Sequence, residues 1–454
     1  MDTLSTDSIS HGFKAIVDKS SDPTFTSRNA SFGSCYANLI NSIMGAGILG
    51  LPYAFANTGW VFGVVLNIIA MYFSIMGCRL LAYCSSVVPP PCSFFQILNI
   101  ISPKITLVVD ISVILLTFGS SLAYLIIIGD LMPSSLNTLG ANAFFTDRST
   151  WVVGGWMIAA PFSCMHNLDA LKWTSGMCFL FLMIMVVVVF IFSMPGDPLK
   201  ACEDQDLDDD GPCRGDHVWV NSDATSFLKV FSIFIFALGC QANIFALLNE
   251  IQEPTKKRID DLFSSAVVTA GLCYIIYGCC GYATYGDSIK SDSIINYPAN
   301  TLDAVIGIFV SFVVAFSYPL QINPCRRSLL TMLQYALNKG EEPTLMQTRF
   351  RYFTITSLFL GISLLLAMLL DDLGFVLSLV GATGSTAIVF VIPGYSYLAL
   401  FSWEGNEERR KLGMRGNNSS MKTKLLGEER LSYSVNSDER LPVQEKTNIY
   451  VAAA

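Results

Sequence analysis

Charge is scarce in this sequence. Only 14% of its 454 residues are Asp, Glu, Lys or Arg, against roughly 25% in an ordinary soluble domain. Histidine is nearly absent, with three in the chain. The thirteen cysteines fall mostly inside apolar stretches (Cys35, Cys78, Cys84, Cys164, Cys178, Cys240, Cys273, Cys279 and Cys280) and form no paired C-x-x-C units, so a structural zinc site is not expected. No histidine pair, nucleophile elbow or metal motif occurs in the apolar stretches, which argues against an enzyme or a bound cofactor. A net charge of −8 gives no footing for a nucleic-acid partner. Residues 1–30 are polar and hold no apolar h-region, so the first membrane helix, not a cleaved signal, is expected to direct insertion.

What remains is apolar. Residues of the AVILMFWYC set make up 52% of the chain and the mean hydropathy is +0.51. One buried core cannot absorb that surplus, because soluble domains split beyond about 250–300 residues. The partner implied is a lipid bilayer.

A helix crossing the hydrocarbon needs about 20 mostly apolar residues. Ten segments meet that rule, at 33–56, 60–84, 105–129, 150–166, 173–194, 226–248, 262–285, 301–323, 352–370 and 374–402. The fourth is the shortest. With the N-terminus in the cytoplasm, twenty-three of the 28 basic residues lie inside and five lie outside: Arg148, Lys200, Arg214, Lys229 and Lys290. The positive-inside rule therefore supports both the count and the orientation. The chain divides into a polar cytoplasmic tail (1–30), a membrane core (31–402) and a polar cytoplasmic tail (403–454) expected to be disordered. Within the core, the outer loop 195–225 carries Glu203, Asp204, Asp206, Asp208, Asp209, Asp210 and Asp216. Cys202 and Cys213 flank this acidic run, and in an oxidising compartment they are expected to form a disulfide.

Two spans are interrupted. The first reads Asn41-Ser-Ile-Met-Gly45-Ala-Gly47-Ile-Leu-Gly50-Leu-Pro52, placing three glycines and a proline at mid-membrane. Each glycine weakens a helix by about 1 kcal/mol relative to alanine, and proline removes a donor. Unwinding here frees N–H and C=O groups that lipid cannot satisfy. An anionic ligand group on the freed N–H groups and a cation on the freed carbonyls are the physical candidates. Tight helix packing through small residues is the alternative. The sixth span carries a second interruption, Gly239-Cys240-Gln241-Ala-Asn243. Breaks five spans apart in a ten-span chain are the pattern of a LeuT-type fold, two inverted five-helix repeats whose broken helices meet at the midplane.

The first-span signature from Asn38 to Ala54, with Asn57-Thr-Gly-Trp60 after it, resembles that of the amino acid/auxin permease family, in particular its sodium-coupled neutral amino acid transporter branch. Cys240 to Glu250 and Tyr318-Pro319 to Arg326 resemble that family's sixth and eighth helices, with Gln241 where many members carry histidine. Members of the branch usually have eleven membrane helices. Here the eleventh is missing, and ten are expected.

The resemblance implies an L-amino acid held between the first and sixth spans. Its α-carboxylate would fall to the backbone donors of Gly45, Ala46, Gly47 and Ile48, and its α-ammonium to carbonyls near Gly239 and to a third-span face with Thr117, Ser120, Ser121 and Tyr124. Gln241 and Asn243 would face the substrate side chain. The same resemblance places a sodium ion between the first and eighth spans, on Asn41, the Met44 carbonyl and Ser317, with Ser311 as second choice. A lone membrane serine otherwise bonds the carbonyl four residues back.

Proton coupling needs a titratable group at depth. His11, His166 and His217 fall at or beyond span ends, and Asp110 is the one carboxylate well inside a span, where Arg79 would neutralise it. Sodium is therefore the expected coupling ion, with the proton as alternative. The expected function is a secondary active transporter of neutral amino acids working by alternating access, at the plasma membrane or else a vacuolar or endolysosomal one. A non-transporting amino acid sensor is the competing class.

Overall fold

The computed structural model describes residues 30–87, 92–101, 103–164, 172–194, 215–221, 223–297, 301–337 and 345–401. Both tails, and with them Cys202 and Cys213 of the outer loop, lie outside the described residues. Among the described residues the chain is helical, with one isolated bridge, Ala30 to Ile251, and no strand.

Seven helices are long and apolar enough to cross a membrane, and the bent pair Phe32–Ile43 and Ala46–Thr58 makes an eighth. Helices also occupy the two remaining expected positions, at Arg148–Ser163 and Lys172–Phe192. The first of these has 16 residues, short for a crossing, as its sequence anticipates. Apolar side chains left exposed on the outer helices, among them Ile68, Tyr72, Leu272, Leu365 and Leu398, form the surface a bilayer would cover.

The third and eighth spans, Pro103–Thr138 and Thr301–Leu337, pack along one another as the most extensive helix pair. The apolar stretch of the third span is 78% buried, whereas that of the ninth, Leu345–Leu369, is 33% buried. The former is a central stave and the latter a lipid-facing one.

The contacts between loops sort the helix ends into two sets, one at each end of the bundle, as successive crossings require. On the side expected to be outside, the Gly215 and Asn221 amides donate to the Tyr285 and Thr58 carbonyls, and the Trp60 amide donates to Val218. On the side expected to be cytoplasmic the Ala30 amide donates to the Glu250 carbonyl, and Asn249 brackets Cys92 with two bonds. Elements assigned to opposite faces do not mix in these ties.

One pairing differs from expectation. Arg79 does not neutralise Asp110. Its guanidinium lies 3.6 Å from Asp260 on the seventh span, Lys256–Tyr285, and donates to Ser264, while Asp110 bonds Ser328 of the eighth span. The second span, Trp60–Ser85, turns its Arg79 toward the seventh because those two helices pack as neighbours.

Candidate functional site

The first span stops being α-helical at Ile43 and restarts at Leu51, with a single 3-10 turn, Ala46–Ile48, between. The chain bends by 48° across this break. Gly45 sits at φ −99° and ψ −145°, and a Cβ there would lie 2.7 Å from the Tyr124 hydroxyl. Gly47 is held more tightly: its Cβ would lie 2.7 Å from the Ala237 Cα of the sixth span. The two breaks therefore cross backbone to backbone, and that approach requires glycine.

The amides of Ala46 and Gly47 find no backbone acceptor among the described residues, and no backbone amide donates to the Met44 carbonyl. These are the freed donors and acceptor that the glycine cluster predicts. The sixth span ends its first helix at Ala237 and resumes at Ile244 after the turn Gln241–Asn243. Its exposed carbonyls are taken by side chains. Ser74 donates to Leu238 at 2.7 Å, and Tyr274 is placed to donate both to Ala237 at 3.1 Å and to Ile43 of the first break at 2.6 Å.

A cleft opens between the breaks. Gly45, Ala46, Gly47, Ser120, Tyr124, Gly239 and Asn243 all line it, so seven of the eleven expected substrate residues come together, and Thr117 and Ser121 of the third span are not in its wall. Ile48 does not; it lines the adjoining cavity. Gln241 is also absent from the cleft wall. Its amide donates to the Ser74 carbonyl and hydroxyl of the second span, at 3.1 and 3.2 Å, beside a thiol pair, Cys78 and Cys240, with sulfurs 3.5 Å apart. It braces the break from behind. The third-span hydroxyls of Thr117 and Ser120 bond the carbonyls four residues back at 2.7 and 2.8 Å.

The wall also holds residues that the sequence does not mark as site residues, among them the polar Ser42 and Gln321 and the aromatic Phe236. Ser42 accepts from Asn243 at 2.6 Å, joining the two broken spans. Gln321 comes from the eighth span, one turn beyond Ser317. Its signal was a lone amide in an apolar run close to Tyr318-Pro319.

The adjoining cavity lies between the first, third, fifth and eighth spans. Met44, Ile48, Leu49, Tyr124 and Ser317 are in its wall. Met44 and Ser317 are thus brought together as the ion reading requires. Asn41 is buried one turn earlier and lines neither cavity. Ser311 also lines neither, and its hydroxyl bonds the Gly307 carbonyl at 2.8 Å. No Asp, Glu, Lys, Arg or His lines either cavity. A ligand charge there would meet backbone dipoles, amides and hydroxyls only.

The comparisons with known proteins follow the same lines. The family model described as transmembrane amino acid transporter protein matches residues 28–413. Vacuolar amino acid transporter 5 of Schizosaccharomyces pombe is 31% identical over 400 residues, covering 87% of this chain and 89% of that protein. The human sodium-coupled neutral amino acid transporter 7 is 26% identical, covering 78% and 76%. Among solved structures, MhsT in complex with L-phenylalanine superposes with a TM-score of 0.54 at 12% identity, over 82% of this chain and 89% of that one. That likeness shows the fold, which is the LeuT type with the first and sixth helices broken.

Proposed function

The chain belongs to the transmembrane amino acid transporter family, the amino acid/auxin permeases, and from that premise we propose that it carries neutral L-amino acids across a membrane by alternating access. One observation supports this reading most: the unpaired amides of Ala46 and Gly47 stand at a cleft with no charged side chain in its wall. Unpaired N–H groups suit a carboxylate, carbonyls and hydroxyls suit an ammonium, and Asn243, Gln321 and Phe236 suit an uncharged side chain. The Ser42–Asn243 bond joins the two broken helices across the cleft, where a moving bundle would make and break contacts.

For the coupling ion, Met44 and Ser317 line one cavity, and a carbonyl and a hydroxyl are neutral oxygens of the kind that sodium prefers. The second reading is proton coupling at a vacuolar or lysosome-type membrane. It is favoured by relatives named vacuolar amino acid transporters in two yeasts, which also move the preferred location away from the plasma membrane. Uptake of labelled neutral amino acids into proteoliposomes, driven separately by a sodium and by a proton gradient, tests all of this. Accumulation with one gradient names the ion. Binding without accumulation under either would reject the carrier and leave a sensor.

A further inference from the structure

Residues 286–297 connect the seventh span to the eighth and cross the non-cytoplasmic end of the bundle, outside the spans. This segment bears directly on the first break. The Ser293 amide donates to the Leu49 carbonyl at 3.3 Å, and the Ser293 hydroxyl pairs with Tyr277 of the seventh span at 2.8 Å. Ser291 donates to Asp372, the residue that caps the tenth span, at 3.0 Å.

Between these two serines sits Asp292, 3% exposed. One carboxyl oxygen accepts the Ile294 amide at 3.4 Å. The other is buried with no partner. The charged group facing it from the third span is another carboxylate, Asp130. Arg148, the cation that pairs with Asp130, is already engaged: it bonds Asp130 at 2.9 Å and the Ala367 and Leu370 carbonyls of the ninth span at 3.0 and 2.9 Å. Asp371 adds further negative charge near Asp130, and Tyr277 is a neutral phenol. A dry carboxyl facing a second carboxylate, with no cation of its own, is stable only when it holds a proton.

We propose that Asp292 is a proton-binding site reached from the non-cytoplasmic side, and that its protonation lets residues 286–297 seat over the first break and close that end of the substrate path. Burial first, and then the neighbouring Asp130, push the Asp292 carboxyl up from the ordinary 3.8 to about 8 in the seated segment. When the segment lifts, the carboxyl is hydrated and returns toward its ordinary value. Below about pH 4 both positions are protonated and closure does not depend on pH. Between about 4 and about 8 closing takes up one proton, so closure weakens by up to about tenfold per pH unit as pH rises. Acid outside therefore closes the segment. The consequence for transport rests on the carrier reading above, whereas the proton site itself does not.

The test uses the full chain in liposomes, with Ile294→Cys labelled by a membrane-impermeant maleimide from the outer face and site 294 read by mass spectrometry. Labelling is compared in the native and Asp292→Asn backgrounds, so that the pH response of the thiol itself cancels. Between about pH 6 and about pH 8.5 the ratio of native to Asn labelling should rise at least about tenfold. A flat ratio overturns the proposal. Asp130→Asn leaves Arg148 free to stabilise ionised Asp292, so the midpoint should move toward acid. If Asp292→Asn fails to insert, an unmoved midpoint in Asp130→Asn overturns the proposal instead. Loss of uptake under every gradient with the titration intact would reject the carrier and leave the proton site standing.

Discussion

At the first break two amides and one carbonyl are left without backbone partners, while at the sixth the carbonyls are closed off by side chains. Ala46 and Gly47, whose amides have no backbone acceptor, line the cleft, and Met44, whose carbonyl no backbone amide reaches, lines the adjoining cavity. Across from them, Ala237 and Leu238 have their carbonyls taken by Tyr274 and Ser74, and Gln241 is bonded to the second span. The glycine spacing explains the difference. Gly47 brings the first break within backbone contact of Ala237, and Gly45 lets the Tyr124 hydroxyl approach; the one carbonyl closed by a side chain there, Ile43, lies before both glycines. Gly239 has more space, with its nearest Cβ neighbour at 3.3 Å, and polar side chains fill in. A recognition surface on the first span thus rests on a braced surface on the sixth.

The sharpest way to break this comparison is to fill the first break. Gly47→Leu would drive a side chain into the Ala237 backbone, 2.7 Å from the Cβ position, and should abolish substrate binding and uptake while the protein still inserts. Gly239→Ala, with its looser surroundings, should keep most of its uptake. Labelled-substrate binding to the purified variants reads both; near-normal binding by Gly47→Leu would contradict the site.

The next effect falls on the shared brace. Tyr274→Phe leaves the Ile43 and Ala237 carbonyls without their hydroxyl. Each unsatisfied buried group costs about 1–3 kcal/mol, so both thermal stability and uptake should fall clearly. Ser74→Ala releases the Leu238 carbonyl and one contact to Gln241, and should lower stability by about 1–3 kcal/mol. If Ser74→Ala proved the more damaging of the two in a detergent melting experiment, the brace would be centred on the second span instead of the seventh.

The break in the first span is legible because three glycines and a proline cluster with Asn38 and Asn41, which helix packing through small residues alone does not require. The sixth was legible from Gly239 to Asn243, yet the direction of its side chains was not. Gln241 and Asn243 are two residues apart, and the 3-10 turn between the helices sends one to the second span and the other to the cleft. Periodicity cannot resolve a turn of three residues. Tyr274 reads as one more aromatic in an apolar helix, and only the packing of the seventh span against both breaks makes it a donor. Gln321 is a single amide in an apolar run. Asp292 lies in a loop, where hydropathy carries no information about burial, so a search for carboxylates inside the spans passes over it. The two π-helical turns of the tenth span, Gly381–Ser385 and Ala387–Val391, likewise leave no mark in a pattern of apolar residues.

The smallest expected effect separates the two serines of the eighth span. Ser317 shares a cavity wall with Met44, whereas the Ser311 hydroxyl is held by the Gly307 carbonyl of its own helix. Removing one neutral oxygen ligand forfeits an interaction of about 0.5–1.5 kcal/mol, so Ser317→Ala should weaken apparent sodium affinity by about twofold to tenfold and leave the maximal rate nearly unchanged. Ser311→Ala should leave both unchanged. Asn41→Ala should behave like Ser317→Ala only if its amide reaches the ion, since it lines neither cavity in this conformation. Sodium titrations of uptake in the three variants distinguish these outcomes. An unaltered sodium dependence in Ser317→Ala would remove the ion from the Met44 cavity. The open carbonyl of the first break would then have to be satisfied by water or by the substrate's own ammonium.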